Sequence, residues 1–260
     1  MPFPNSADKY SQPSLLTGEA MIAYRKQLGI LPKVPAPQAA LLCLHRGLPE
    51  RLRRKHPFRR VGRLMGDLFA IGKAGNALFV AANFGIGAPL IASFAEELIA
   101  WGVKRLISLA WVGALQPELN PGDIVVCERA MRDEGTSHHY LPAAKYAQAS
   151  ERLVGELVAS LASAGVVAAS TTSWTTDAPY RETKAEVKKY QAEGVATVEM
   201  EAAALFTVAT VRNVEAAAIF VVGDSLADLE WRGPRDLASI ERGLETAYTA
   251  AISTLTPGSK

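Results

Sequence analysis

Short apolar runs alternate along the chain with longer segments in which apolar residues recur at helical spacing. After about residue 38, seven continuous apolar runs have strand length, which is typical of strands covered on both faces. The order of strand followed by helix predicts an α/β fold, with a single domain and a central mixed β-sheet flanked by helices. The predicted strands are Ala39–Leu44, Ala77–Asn83, Leu106–Leu109, Ile124–Arg129, Val166–Thr172, Thr197–Glu199 and Ala217–Val222.

Proline and glycine mark the ends of the predicted helices. One helix is predicted from Pro89 to Trp101, with Gly102 just beyond it. Residues 1–38 are rich in proline and polar groups, so we expect an irregular N-terminal arm with one short helix near Gly18 to Leu28, ahead of an α/β domain over residues 39–260. The other predicted helices are Ser150–Ala164, Arg181–Glu193, Met200–Arg212 and Pro234 to about Leu255.

Two carboxylates flank a methionine at a predicted strand-to-helix junction, in Glu199-Met200-Glu201. A carboxylate at such a place can accept hydrogen bonds from two neighbouring sugar hydroxyls, and such charge-assisted bonds are strong. The methionine offers a soft apolar surface to a sugar or a nucleobase. The alternative is that Glu201 only complements the positive end of the helix. In open α/β sheets ligands bind at the carboxyl ends of strands, where this segment lies.

Asp224 ends another predicted strand, directly after Gly223. An acid there could protonate or hydrogen-bond a leaving group, and general acid catalysis typically contributes about 10²–10⁴ in rate. The alternative is a turn or helix-capping aspartate.

A glycine turn with an arginine, Gly47-Leu48-Pro49-Glu50-Arg51, follows the first predicted strand. Backbone amides and a guanidinium together make an anion site, although an ordinary turn is the alternative. The surrounding basic stretch fits a solvated face, an anion site or a polyanion-binding patch. It comprises Arg46, Arg51, Arg53, Arg54, Lys55, Arg59, Arg60 and Arg63.

Other features narrow the classes of function. The adjacent pair His138-His139 lacks a carboxylate or cysteine at metal-ligand spacing, so no metal site is predicted. Gly85-Ile86-Gly87 lacks the third glycine of a dinucleotide fingerprint and indicates instead a close backbone approach to a ligand or helix.

Composition adds little that is specific. The net charge of +2 over 260 residues gives no general argument for nucleic acid as a partner. Cys43 and Cys127 stand apart in apolar surroundings and predict reduced thiols. No apolar run is long enough to span a membrane, and the N-terminus lacks a signal-peptide pattern, so a cytoplasmic protein is expected.

Several motifs occur in chain order and together carry a resemblance. They are Gly85-Ile86-Gly87-Ala88-Pro89, Gly113-Ala114-Leu115-Gln116-Pro117, Pro121-Gly122-Asp123-Ile124-Val125, Arg132-Asp133-Glu134-Gly135-Thr136-Ser137 and Val198-Glu199-Met200-Glu201. Over roughly residues 39–222 the chain resembles the nucleoside phosphorylase superfamily, closest to its uridine phosphorylase-like branch. The resemblance implies no metal or organic cofactor and a homodimer or hexamer. It also implies phosphorolysis, in which a nucleoside and inorganic phosphate give a free base and ribose 1-phosphate.

The resemblance also implies roles for individual residues. Glu199, Met200 and Glu201 resemble the ribose-binding segment, with Glu201 on the ribose hydroxyls. Gly47 and Arg51 resemble the phosphate-binding turn. The base site would comprise Gly113, Tyr180, Arg181 and Asp224, with Asp224 where purine-specific members keep an acid.

The phosphate site departs from the family pattern. Ser108 stands where a second phosphate-binding arginine is usual, Trp111 replaces a small hydroxyl residue, and Leu48 replaces an aspartate. A serine supplies no fixed positive charge or bidentate fork. Three hypotheses therefore stay open: a phosphorylase that uses a replacement cation such as Arg63, a nucleoside hydrolase-like enzyme, and a non-catalytic nucleoside-binding protein. Polyanion binding by the basic stretch is a fourth.

Overall fold

The structure is a computed structural model that describes residues 4–6, 9–52, 55, 57–71 and 78–256. Within these ranges it forms a mixed sheet flanked by helices, which confirms the predicted fold class. The strands are β1 (Ala39–Cys43), β2 (Arg59–Arg63), β3 (Asp67–Ile71), β4 (Leu78–Ala82), β5 (Arg105–Ala114), β6 (Ile124–Asp133), β7 (Tyr146–Gln148), β8 (Ala169–Thr176), β9 (Val195–Glu199) and β10 (Glu215–Ser225). The helices are α1 (Gly18–Gln27), α2 (Leu48–Leu52), α3 (Ala88–Trp101), α4 (Glu151–Ser163), α5 (Lys184–Ala192), α6 (Ala202–Val211) and α7 (Leu237–Leu255).

Strand β5 joins the two parts of the sheet. It runs parallel to both β1 and β10, and its last residues pair antiparallel with β9. Strands β10, β6, β8, β9 and β5 pair in turn and close a ring, while β1, β4, β3 and β2 extend the sheet from the other side of β5. The carboxyl ends of β1, β5 and β10 therefore lie side by side, and the segment after β9 lies next to the end of β5.

The sheet is buried on both faces. One apolar cluster holds residues of α3 and α6, and a second holds residues of α4 and α7. Helix α1 of the N-terminal arm packs on α3, so this part of the arm is ordered against the domain. No helix in the described part of the chain has both the length and the apolar character that a membrane span requires.

Three boundaries differ from the sequence prediction for identifiable reasons. Helix α5 begins at Lys184 rather than Arg181, because Thr183 and Glu186 form a capping box there. Helix α6 begins at Ala202 rather than Met200, because Glu201 is its N-cap and accepts a helical hydrogen bond from the N–H of Leu205. Strand β5 extends to Ala114, well beyond the predicted Leu109, because it pairs with β10 over its whole length.

The hairpin of β2 and β3 was not predicted. Strand β2 is an edge strand with exposed arginines, and charged side chains on an edge are a common protection against further pairing. The same charges hide its strand character in the sequence. Ala77 of the predicted second strand, and Arg53 and Arg54 of the basic stretch, lie outside the described residues.

Candidate functional site

Glu199 ends β9 and caps helix α6. One of its carboxylate oxygens accepts hydrogen bonds from the backbone N–H groups of Glu201 and Ala202, each at 2.7 Å. The other accepts from the hydroxyls of Thr175 and Ser173 on the neighbouring strand β8. A carboxylate offers about four acceptor positions, so these donors leave Glu199 little capacity for a ligand. Burial and the charge of Glu201 raise the pKa of Glu199, whereas its hydrogen bonds oppose the rise.

Glu201 is equally buried but less fully bonded. Its Oε1 accepts from the backbone N–H of Gly87 at 2.5 Å, and its Oε2 accepts from the N–H of Met200 at 3.2 Å. About one acceptor position on each oxygen stays open, which suits two adjacent hydroxyls of one ligand. Gly87 has φ 104°, a conformation that glycine adopts without strain and that goes with this contact. The close backbone approach predicted for Gly85-Ile86-Gly87 is therefore one to Glu201.

Two cavities meet at this segment. The larger has a volume of about 900 Å³ and the smaller about 270 Å³, and Trp111, Glu199 and Met200 line both. Glu201 lines the smaller cavity. The site is thus a two-part space, with the open carboxylate near the place where the parts join.

Asp224 and Glu182 bring two acids to the larger cavity. The indole N–H of Trp231 donates to Oδ2 of Asp224 at 2.6 Å, which fixes that carboxylate. Burial and the charge of Asp224 raise the pKa of Glu182 to about 7. A fraction of Glu182 is therefore protonated near neutral pH and can donate a hydrogen bond to a ligand in this cavity.

The other predicted base-site residues fall into two groups. Gly113 lines the larger cavity, and so does Tyr180, whose side chain is fully exposed. Arg181 is exposed and is not among the residues that line either cavity. Its neighbour Glu182 lies in the cavity instead.

The predicted phosphate-site residues are not brought together. Arg51 pairs with Glu241 of α7 at 2.7 Å, and both side chains are largely exposed. Ser108 is 1% exposed, and its hydroxyl has no hydrogen-bond partner among the described residues. Neither Ser108 nor Gly47 lines the smaller cavity. Arg63 on β2 lies 3.9 Å from Asp67, away from both cavities.

Trp111 is fixed in place by its neighbours. A Cβ atom on Gly223 of the adjacent strand would lie 1.3 Å from the indole Nε1, so the ring rests directly on the Gly223 backbone. The ring also lies nearly parallel to that of His45, at an angle of 11° with the ring centroids 6.2 Å apart. The indole therefore forms a wall shared by the two cavities, and Gly223 is the residue that makes room for it.

Sequence reasoning missed His45, Arg46 and Glu182 as cavity residues. His45 and Arg46 line the smaller cavity directly after β1. Their position before the glycine turn, at the carboxyl end of a central strand, was an available signal. Trp231 belongs to the loop after β10, far from any predicted motif, and no sequence signal pointed to its contact with Asp224.

Solved structures share this fold. Uridine phosphorylase from Vibrio fischeri ES114 superposes with a TM-score of 0.71 at 24% identity, covering 86% of this chain and 92% of that one. Purine nucleoside phosphorylase from Toxoplasma gondii, in complex with immucillin-H, gives a TM-score of 0.75 at 19% identity, covering 85% of this chain and 92% of that one. At these identities the likeness establishes the fold, which is that of nucleoside phosphorylases.

The model of the phosphorylase superfamily matches residues 27–254, and the chain belongs to that family. The DeoD-type purine nucleoside phosphorylase of Caldanaerobacter subterraneus subsp. tengcongensis is 33% identical over 144 residues, or 55% of this chain and 62% of the relative. Uridine phosphorylase of Salmonella typhimurium is 31% identical over 156 residues, or 55% of this chain and 61% of the relative. The chain thus spans about three fifths of the length of these curated relatives.

Proposed function

We propose that this chain cleaves the N-glycosidic bond of a nucleoside, as a pentosyltransferase-like member of its family. The proposal rests on one observation: buried Glu201 keeps open acceptor positions where two cavities of unequal size meet. A sugar diol bound there would place its nucleobase in the larger cavity and its opposite face toward the smaller one. Relatives named as purine nucleoside and uridine phosphorylases support this reaction class.

The larger cavity fits a purine-type nucleobase. Breaking the bond leaves negative charge on the base, and a protonated carboxyl beside it can donate a proton or a hydrogen bond. Glu182 supplies such a group, and Asp224 lies in the same cavity. Burial and the charge of Asp224 raise the pKa of Glu182 to about 7, which keeps a fraction of it protonated near neutral pH. We assign the base site to these two acids, with Gly113 and Tyr180 beside them.

The nucleophile would enter through the smaller cavity. Inorganic phosphate is the first candidate, because the relatives are named phosphorylases, and Arg46 would be its cation in place of Arg51 or Ser108. Water is the second candidate, because Arg51 is paired with Glu241 and the buried Ser108 carries no charge. Neither form of the proposal invokes a metal or an organic cofactor. Assembly as a dimer or hexamer stays a prediction.

A nucleoside panel tests the proposal directly. Purine and pyrimidine nucleosides would be incubated with the protein, with and without inorganic phosphate, and the free base measured by chromatography. We expect release of base from purine nucleosides and loss of that release in Glu201→Gln. Calorimetric binding without release from any nucleoside would instead identify a non-catalytic nucleoside-binding protein.

A further inference from the structure

We propose that His45 is a general base that activates water in the smaller cavity, so that the chain hydrolyses nucleosides. The inference rests on the proposed function and specifies its nucleophile. It would make His45 a catalytic residue that neither the sequence motifs nor the comparisons assign.

His45 lies in the cavity through which we propose that the nucleophile enters. It directly follows β1 and lines the same cavity of about 270 Å³ as Glu201 and Met200. Its Nδ1 is buried, and no described residue forms a hydrogen bond with it. A buried ring nitrogen without a protein partner is costly unless a small polar molecule satisfies it, and this cavity has room for several waters, each of which takes about 30 Å³ in the liquid.

The imidazole is held by packing and not by a hydrogen bond at Nδ1. Its ring lies nearly parallel to the indole of Trp111, which in turn rests on Gly223. A flat ring fixed against a second flat ring keeps one orientation, and preorganised orientation is a large part of catalytic efficiency. The tryptophan that departs from the family pattern is therefore the support of the proposed base.

Charges around the cavity favour a neutral nucleophile. Arg46 is the only permanently charged cation among the described lining residues, and it is exposed. Two buried carboxylates, Glu199 and Glu201, line the same space. One exposed arginine and two buried acids compensate a phosphate dianion poorly for the loss of its hydration, whereas an uncharged water molecule needs no such compensation.

The surroundings of His45 also keep its ring neutral. Burial and the positive charge of Arg51 lower the pKa of His45, while polar contact with the backbone of Arg46 and the charge of Glu241 oppose the change more weakly. Arg46, Glu199 and Glu201 are the other charged groups that line its cavity. A neutral imidazole can accept a proton, so the base is in its active form at neutral pH.

The reaction balances with water alone. His45 takes a proton from the water as the water oxygen forms a bond to the anomeric carbon of the sugar. The C–N bond breaks with its electron pair going to the nucleobase, which takes a proton from the carboxyl group of Glu182. The products are the free base and ribose. The imidazolium then returns its proton to solvent and the carboxylate regains one.

Product analysis of the wild-type protein is the first test. We expect base and ribose, identified by mass spectrometry, in buffer free of phosphate, with no ribose 1-phosphate when phosphate is added. Base release that strictly requires phosphate and yields ribose 1-phosphate would overturn the inference and leave the proposed function standing. No base release under either condition would overturn both.

Substitution of His45 is the second test. We expect His45→Gln to lower kcat by about 100-fold, at the low end of the range for general base catalysis, with little change in KM. The wild-type kcat/KM should fall on the acid side below pH 6.5, the ordinary pKa of histidine, and the variant should lose that limb. The matched control is His139→Gln, in a separate cavity beside Lys9, which should keep full activity.

One outcome would contradict the role of His45: a folded His45→Gln protein, checked by circular dichroism, that retains wild-type kcat and the same acid limb.

Discussion

The two ends of the site differ in how their chemistry is held. The segment after β9, where we propose that the sugar binds, is fixed by backbone N–H groups and buried hydroxyls that bond Glu199 and Glu201. The glycine turn after β1 presents Arg51 on an exposed side chain, which pairs with Glu241 on the surface. A change at Glu199 or Glu201 therefore disturbs the start of α6, whereas a change at Arg51 breaks one exposed ion pair.

The difference explains why the motif after β9 is stronger evidence for function than the glycine turn after β1. A residue that also caps a helix is held in position by the fold, so its side chain remains available at the site. A surface arginine is held by one exposed ion pair, which is typically worth about 0–1 kcal/mol. The family resemblance is thus a better guide to the sugar end of this site than to the nucleophile end.

The largest effect that would sharpen this contrast is at Glu201. We expect Glu201→Gln to weaken nucleoside binding by roughly 100-fold, because it replaces two charge-assisted hydrogen bonds to the sugar with neutral ones. Isothermal calorimetry would measure the affinity. The neighbouring Glu199→Gln should act mainly on stability, lowering the free energy of unfolding by about 1–3 kcal/mol as capping bonds are lost. Equal effects of the two changes on affinity would erase the distinction drawn between them.

The second effect concerns the wall between the cavities. Gly223→Ala would place a methyl group inside the indole of Trp111, so we expect a loss of about 1–3 kcal/mol in the free energy of unfolding. In a Trp111→Ser background the same alanine should cost much less, since the ring is gone. Urea denaturation of the four proteins in a double-mutant cycle measures the coupling. Additive losses would mean that Trp111 does not rest on Gly223.

The third effect is a pH dependence at the base end. Burial and Asp224 raise the pKa of Glu182 to about 7, so its carboxyl is mostly protonated below pH 7 and mostly ionised above it. If the protonated form serves the leaving base, kcat should fall as pH rises through about 7. Glu182→Gln should remove this alkaline limb and reduce kcat by about tenfold, a small general-acid effect because the glutamine amide can still donate a hydrogen bond to the base. Arg181→Gln, one residue away but outside the cavity, is the control that should leave the profile unchanged.

The smallest expected effect concerns the exposed ion pair between Arg51 and Glu241. Glu241→Gln should change the free energy of unfolding by less than about 1 kcal/mol, because the pair with Arg51 is exposed and screened by solvent. Thermal denaturation would measure it. A larger loss would mean that the turn is held as firmly as the sugar-facing segment.

The sequence was most informative where a residue pattern also had a defined place in the fold, such as the end of a strand. Continuous apolar runs located seven strands, and the acids at the ends of β9 and β10 were found because ligands gather at the carboxyl ends of strands. Side-chain direction was not accessible in the same way. The sequence could not tell that hydrogen bonds to α6 and β8 nearly saturate Glu199 while Glu201 keeps acceptor positions open, since both stand at the same junction.

Contacts between segments that are distant in the chain could not be predicted from the sequence either. Trp231 reaches Asp224 from a loop, and Arg51 meets Glu241 from a helix 190 positions away. The change to Trp111 was visible as a departure from the family, but its consequence was not. Trp111 fits at this position because Gly223 on the adjacent strand has no side chain to clash with the indole.

A crystal structure with a bound, uncleavable nucleoside analogue would show directly whether Glu201 holds the sugar. We expect two sugar hydroxyls within about 3 Å of the Glu201 carboxylate, the usual hydrogen-bond distance, with the nucleobase between Glu182 and Asp224. A sugar bound away from Glu201, with that carboxylate still contacting only the backbone of Gly87 and Met200, would contradict this expectation.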